Sequence, residues 1–351
     1  MGFSQRRIRV WAALGVMALA VVVLAAGLVG CAGTGDGGSP TASAPPESPG
    51  VTVGMSYIPN VQFAPFYVAE AQGLFTRQDV QATLRHHGSD EGLFTAIGVG
   101  EEQFVVASGD EALQAREQGV DLVAIASYYR EYPVRVIARD DAGIATLADL
   151  RGKKIGVPGR YGESWFGLLV ALKSAGLGED DVRIEEIGYT QQAALASGKV
   201  DAAIGFVNND LVQDQLAGLS VTALPLTAKG EPPLVSACLL TTRAFLDAHP
   251  DQAKAVAQAM TEGVAATAAD PAAALTATKD WVPSLSQADQ EAAAKATLRA
   301  TIGIMTDDSG KASGKLDETQ WKAMSDFMVS VGLLKKPADL AAAMDVSVMG
   351  E

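Results

Sequence analysis

From residue 51 to residue 224 the chain repeats one rhythm: a short apolar run, a polar break, then a stretch with apolar positions at helical spacing. Runs 51–55, 80–85, 104–107, 122–126, 133–138, 155–157, 183–187, 202–206 and 221–224 read as strands, being short, rich in Val and Ile and bounded by turn residues. Between them Pro65 marks a helix start and Gly73 its end, because proline's missing N–H is unused in a first turn and glycine accepts the left-handed stop. Asp90 caps a helix over 91–99, Asp110 opens another that ends at Gly119, and 164–175 forms a third with Gly176 as its stop. Beyond Thr242 the chain is alanine-rich and helical, with starts at Pro250, Pro271 and Asp317 and a loop at 307–310. Strands alternating with helices predict an α/β fold with mainly parallel strands.

Ligands of such folds sit beyond the carboxyl ends of strands. Five groups fall there: Tyr57, Asn60, Phe63 and Phe66; Ser108 and Asp110 within Ser-Gly-Asp-Glu; Tyr128 and Tyr129, with Arg130; Tyr161, Ser164 and Trp165; and Tyr189 together with Phe206, Asn208 and Asn209. Aromatic residues make up only 6% of the chain, yet most of the tyrosines lie in these loops. Tyrosine, tryptophan and phenylalanine offer faces for a planar ring, and asparagine presents both a donor and an acceptor to its edge. Each residue also has a structural reading. Phe63, Phe66 and Trp165 suit a core, Asn60 a turn after Pro59, Asp110 and the Asn208-Asn209 pair helix caps, and Arg130 a solvated loop. The prediction rests on convergence of the five groups. Gly159-Arg160-Tyr161-Gly162 before a helix is a weak phosphate signal, since it fits neither a dinucleotide nor a P-loop pattern.

The run Tyr57-Ile58-Pro59-Asn60, followed by Phe66-Tyr67-Val68-Ala69-Glu70 and Gly73-Leu74-Phe75, resembles the opening of the NMT1/THI5-like and SsuA/TauA-like substrate-binding proteins of bacterial ABC importers. Residues 147–157 resemble the start of that family's second lobe. The resemblance implies a two-lobed periplasmic-binding-protein fold of type II with a ligand cleft between lobes. Residues 50–138 and 236–351 would form lobe 1 and 139–235 lobe 2, with crossings at 133–138 and 231–233. It also implies a monomer that captures a small molecule and docks on a permease driven by an ATPase. The expected cargo is a heteroaromatic vitamin or precursor, riboflavin-like or a thiamine pyrimidine precursor. An aliphatic sulfonate or nitrate is the alternative, though it would need cationic side chains or free helix N-termini.

The charge and the leader fit that setting. The formal net charge is −14, which argues against nucleic acid as a partner. Arg6, Arg7 and Arg9 precede an apolar run over 10–29 and then Leu28-Val29-Gly30-Cys31. A basic start, an apolar centre and small residues before a cut describe an export signal over 1–30. The tetrapeptide resembles a lipobox, which implies lipidation of Cys31 and a place on the outer face of the cytoplasmic membrane. Residues 31–49, rich in Gly, Ser, Thr, Pro and Ala, read as a disordered tether. Enzyme readings find little. THI5-type relatives make pyrimidines with an active-site histidine and a cysteine-rich iron motif. This chain has two cysteines, Cys31 and Cys238, and three histidines. His86 and His87 are adjacent on a strand and face opposite sides. No zinc spacing or nucleophile elbow is present. No cofactor, no metal and no catalysis are expected.

Overall fold

The structure, a computed structural model, describes residues 50–87 and 92–350. The leader, Cys31, the tether and the Asp90 cap lie outside the described residues. No helix among the described residues is long and apolar enough to cross a membrane.

Among the described residues, ten strands form two five-stranded sheets. The first holds β1 (Val51–Met55), β2 (Ala82–His86), β3 (Phe104–Ser108), β4 (Leu122–Ser127) and β10 (Ala237–Thr242), in the order β2-β1-β3-β10-β4. The second holds β5 (Val134–Arg139), β6 (Lys154–Val157), β7 (Arg183–Glu186), β8 (Ala202–Phe206) and β9 (Val221–Leu224), in the order β7-β6-β8-β5-β9. The two orders are the same pattern. Each begins with three parallel strands, and each has one antiparallel strand second from the far edge. In both sheets that strand is the one the chain enters on arriving from the other sheet. The chain therefore crosses twice, at 128–133 and at 225–236.

This corrects one boundary. From the pattern, residues 134–138 read as the end of lobe 1, but β5 pairs with β8 on one side and β9 on the other, inside the second sheet. An apolar run buried on both faces does not reveal which sheet owns it, so the pattern alone put the crossing one strand late.

Helices cover the sheets. α1 (Ala64–Ala71) has Pro65 in its first turn, and Gly73 at φ 64° separates it from the single turn α2 (Leu74–Arg77). The helix expected over 91–99 is one turn where it is described, α3 (Thr95–Gly98). α4 (Gly109–Glu117) has Ser108 at its N-cap; the Glu111 N–H reaches the Ser108 hydroxyl at 3.4 Å and, more closely, Asp110 Oδ1 at 2.7 Å. On the second sheet lie α5 (Gly162–Ser174), α6 (Gln191–Ala196) and α7 (Asp210–Leu216). Then follow α8 (Arg243–Ala248), α9 (Pro250–Ala269), α10 (Pro271–Trp281), α11 (Ala288–Met305), α12 (Glu318–Ser330) and α13 (Leu340–Ala343). These C-terminal helices pack mainly on the first sheet's side, but α11 also reaches α7. α4 against α5 also joins the halves, as does Lys173 of α5, which donates to the Ser330 hydroxyl of α12 at 2.8 Å.

Candidate functional site

A cavity of about 290 Å³ lies between the sheets. Its walls come from just past the carboxyl ends of β1, β3, β4, β6, β7 and β8. On the first sheet's side stand Ser56, Tyr57, Gln62, Phe63 and Glu111. Facing them are Tyr161, Glu163, Ser164, Tyr189, Gln191, Phe206, Asn209 and Asp210. The first crossing contributes Tyr128 and Tyr129.

Nine of the fifteen residues singled out from the sequence line this cavity: Tyr57, Phe63, Tyr128, Tyr129, Tyr161, Ser164, Tyr189, Phe206 and Asn209. Tyr128 and Tyr129 stack, with ring centroids 5.1 Å apart and planes 18° from parallel. The Tyr128 hydroxyl donates to the Gln62 carbonyl at 2.7 Å, which fixes its ring. Tyr57 and Tyr189 meet from opposite sides with centroids 5.9 Å apart. Tyr57, Tyr161 and Tyr189 remain solvent-exposed, so they form the cavity's mouth.

The other six, and Arg130 noted beside the tyrosine pair, stand outside the wall, each for a local reason. Asn60 caps the 3-10 turn Val61–Phe63, its Oδ1 accepting from the Gln62 N–H at 3.0 Å. Phe66 is fully buried behind Tyr128, ring centroids 5.2 Å apart. Ser108 and Asp110 lie buried beneath Glu111. Trp165 is core, with the Arg160 guanidinium 4.7 Å over its ring. Asn208 is buried and donates to the Thr301 hydroxyl at 3.1 Å, tying the β8 end to α11. Arg130 turns to the back of the crossing, where Nε donates to the Thr306 carbonyl. Asn60→Ala is accordingly expected to cost about 1 kcal/mol of stability through the lost cap. Ligand affinity should change little; denaturant titration and calorimetry on the variant check both halves.

What the sequence reading missed is acid. Glu111, Glu163 and Asp210 all reach the wall. Among the described residues lining the cavity there is no lysine, arginine or histidine. Burial pushes the Asp110 carboxyl up to about 7, with the neighbouring Glu111 charge adding to it. Burial likewise raises Glu111, and raises Glu163 further, with Asp110 and Glu111 contributing. Asp210 is pushed up to about 6 by burial. Desolvation with no compensating cation is the common cause. Both glutamates lie within groups noted from sequence, Glu111 in Ser-Gly-Asp-Glu and Glu163 between Tyr161 and Ser164, but a charged residue beside aromatic ones gives no sign of which way it faces.

The fold is that of the periplasmic binding proteins. The alkanesulfonate-binding protein SsuA of Xanthomonas axonopodis pv. citri, solved bound to MOPS, superposes with a TM-score of 0.65 at 19% identity, over 86% of this chain and 99% of that one. The chain belongs to the NMT1/THI5-like family, whose pattern matches residues 60–274. Among its relatives, the riboflavin-binding protein RibY of Chloroflexus aurantiacus is 33% identical over 313 residues, 87% of each chain. A 4-amino-5-hydroxymethyl-2-methylpyrimidine phosphate synthase of Legionella pneumophila is 24% identical, over 58% of this chain and 71% of the enzyme.

Proposed function

We propose that this protein is the extracytoplasmic solute-binding component of an ABC importer, and that it captures an unphosphorylated heteroaromatic vitamin or precursor, a flavin foremost. The observation that carries the reading is the cavity's composition: tyrosine and phenylalanine faces, amide side chains, three carboxyls and no cation among its described lining. Planar rings suit the stacked Tyr128–Tyr129 pair, and Gln62, Gln191 and Asn209 suit a polar ring edge. The likeness over most of its length to a riboflavin-binding protein supports the flavin class. Sulfonates, nitrate and phosphate esters fit less well, because an anion stripped of water here would face three carboxyls and no cation, with only neutral donors and the α5 N-terminus, which has no side-chain cap, to offset its charge. That also weighs against the phosphate-handling enzymes of the family.

In this reading residues 50–132 with 236–351 form one lobe and 133–235 the other, hinged at the two crossings. Ligand touching both walls stabilises the closed form. Cys31 would carry the lipid that tethers the protein to the outer face of the membrane, where the closed form meets permease and ATPase subunits.

Calorimetry and thermal shift with riboflavin, its 5′-phosphate, 4-amino-5-hydroxymethyl-2-methylpyrimidine and taurine test the assignment. One of the unphosphorylated ring compounds should raise the melting temperature by mass action. Riboflavin phosphate should bind weaker than riboflavin by on the order of 100-fold, since an uncompensated buried charge costs several kcal/mol. Preference for taurine or for the phosphate ester would overturn the reading.

A further inference from the structure

The acids of the wall pose a question of proton count. The Ser108 hydroxyl oxygen is 2.5 Å from Asp110 Oδ1 and 2.6 Å from Glu111 Oε2. A serine hydroxyl has one proton. It can donate to one of these oxygens, so the second short contact needs a proton held by a carboxyl. Asp110 Oδ1 already accepts the Glu111 N–H at 2.7 Å, while Oδ2 lies 2.9 Å from the Tyr132 hydroxyl, whose single proton is shared with the Glu163 backbone carbonyl at 3.1 Å. The proton therefore belongs on Glu111 Oε2, which donates to Ser108 while Ser108 donates to Asp110. Glu111 Oε1 is then left as a carbonyl-like acceptor on the cavity side, close to Gly162.

Glu163 faces it from the other sheet's side. Its Oε1 accepts from the Ser236 hydroxyl at 2.5 Å. The ionisable groups that act on Glu163 are Asp110 and Glu111 from α4; those it acts on in turn are Tyr129 and Tyr132 from the first crossing and Cys238 from β10. None of these carries a positive charge. A second or third carboxylate in such a place has nothing to offset it, and a buried carboxyl crowded by others keeps its proton.

We propose that Glu163 and Glu111 meet the ligand as neutral carboxylic acids, Glu163 donating and Glu111 accepting, and so select a ring edge that places an acceptor beside an N–H donor. Lactam, imide and amidine edges have that pattern; a carboxylate, sulfonate or phosphate lacks the donor. This rests on the proposed capture of a heteroaromatic solute, and it adds which two residues read the ring edge and in which protonation state. The two acids sit on α4 and α5, which belong to different sheets, so one ring edge bound between them also bridges the halves.

The test has two arms. Infrared difference spectra of the ligand-free protein at pH 7, wild type against E163Q and against E111Q, read protonation directly. Each substitution should remove a protonated-carboxyl band, and loss of an ionised-carboxylate band instead would overturn the proposal. The second arm measures riboflavin affinity. E163A should weaken it about 10- to 100-fold, and E163Q, which keeps a donor without charge, should recover most of that loss. An E163Q variant as weak as E163A would mean the site needs an anion, and the proposal fails. If the wild type ignores riboflavin while the protonated bands are present, the flavin assignment fails and the protonation state stands; the amino-pyrimidine then takes riboflavin's place as probe in the second arm.

Discussion

Lowering the pH from 8 to about 5 is expected to stabilise this protein, the reverse of ordinary acid weakening. Asp210 and Asp214 are held up to about 6, each chiefly by burial, and the buried Asp110–Glu111 pair keeps a shared proton into the same range. Asp214 has no solvent exposure, and neither of its carboxylate oxygens has a hydrogen-bond partner among the described residues. An unfolded aspartate titrates near 3.9. Between that value and the raised one, the folded state holds a proton that the unfolded state has released. Stability then falls as pH rises. The penalty is absent below about pH 4, grows through the window and is complete above about 7. Two pKa units on Asp214 correspond to roughly 3 kcal/mol at most. Other acids act in the opposite sense: a pair of lysines holds Glu291 down to about 2, and the Thr146 cap lowers Asp149. Their contribution is lost only below about pH 4, which sets the turnover. Urea midpoints between pH 4.5 and 8.5 should therefore fall with rising pH. Asp214→Asn should stabilise at pH 8 by up to about 3 kcal/mol and do little at pH 5. A profile that is flat or rises with pH, or a destabilised asparagine variant, would refute the assignment of these carboxyls.

Such acids survive in a fold whose total stability is on the order of 5–15 kcal/mol, so their cost is a large fraction of it. They are not spread over the molecule. Asp110, Glu111, Glu163 and Asp210 cluster where the two halves meet. Strain concentrated at a cleft is the ordinary mark of a site selected for binding rather than for stability.

How far this was legible in the sequence depends on what kind of fact is asked for. Strand and helix alternation is a local property, and the run Val51, Val53, Met55 or the Pro65 and Gly73 pair announced their elements directly. The tyrosines were legible because they are few and sit in strand-end loops. Side-chain direction was not. Asn60 and Asn209 look alike as loop asparagines, yet one spends its side chain on a local backbone N–H and the other faces the cavity. Trp165 and Glu163 are two residues apart on the same helix, and a helical step of about 200° sends one to the core and the other to the wall. Sheet membership of β5 was hidden for a related reason, since it depends on partners 64 or more residues away, Phe206 and Leu224 among them.

A glycine in β1 should prove as demanding as a buried charge. Glu102 is wholly buried, with Oε1 2.6 Å from Arg85 Nη1 and 3.0 Å from His87 Nε2. Its carboxylate lies over Gly54, where an added Cβ would come within 2.6 Å of Glu102 Cδ and 2.8 Å of Oε1. Gly54 pairs with Arg85 on one side and Val105 on the other, so the backbone there cannot move aside without disturbing both ladders. Removing one partner of a buried ion pair costs about 3–5 kcal/mol, and Glu102→Ala should fall at the low end, about 3 kcal/mol, because the Arg85 side chain is 38% exposed to water. Gly54→Ala should approach it, because the methyl can enter only by pushing the carboxylate off Arg85 and His87. The two substitutions should not add. With Glu102 gone the Gly54 methyl enters vacated space, so its cost in that background should drop below about 1 kcal/mol, a coupling of roughly 2–3 kcal/mol. The effect should also reach the cavity mouth: β2 ends at His86, whose Nδ1 lies 2.8 Å from the Tyr57 carbonyl oxygen and whose Nε2 lies 2.9 Å from the Tyr67 hydroxyl. Denaturation midpoints of the wild type, both single variants and the double variant close the cycle. Additive costs would show that Gly54 is kept for some reason other than the carboxylate above it.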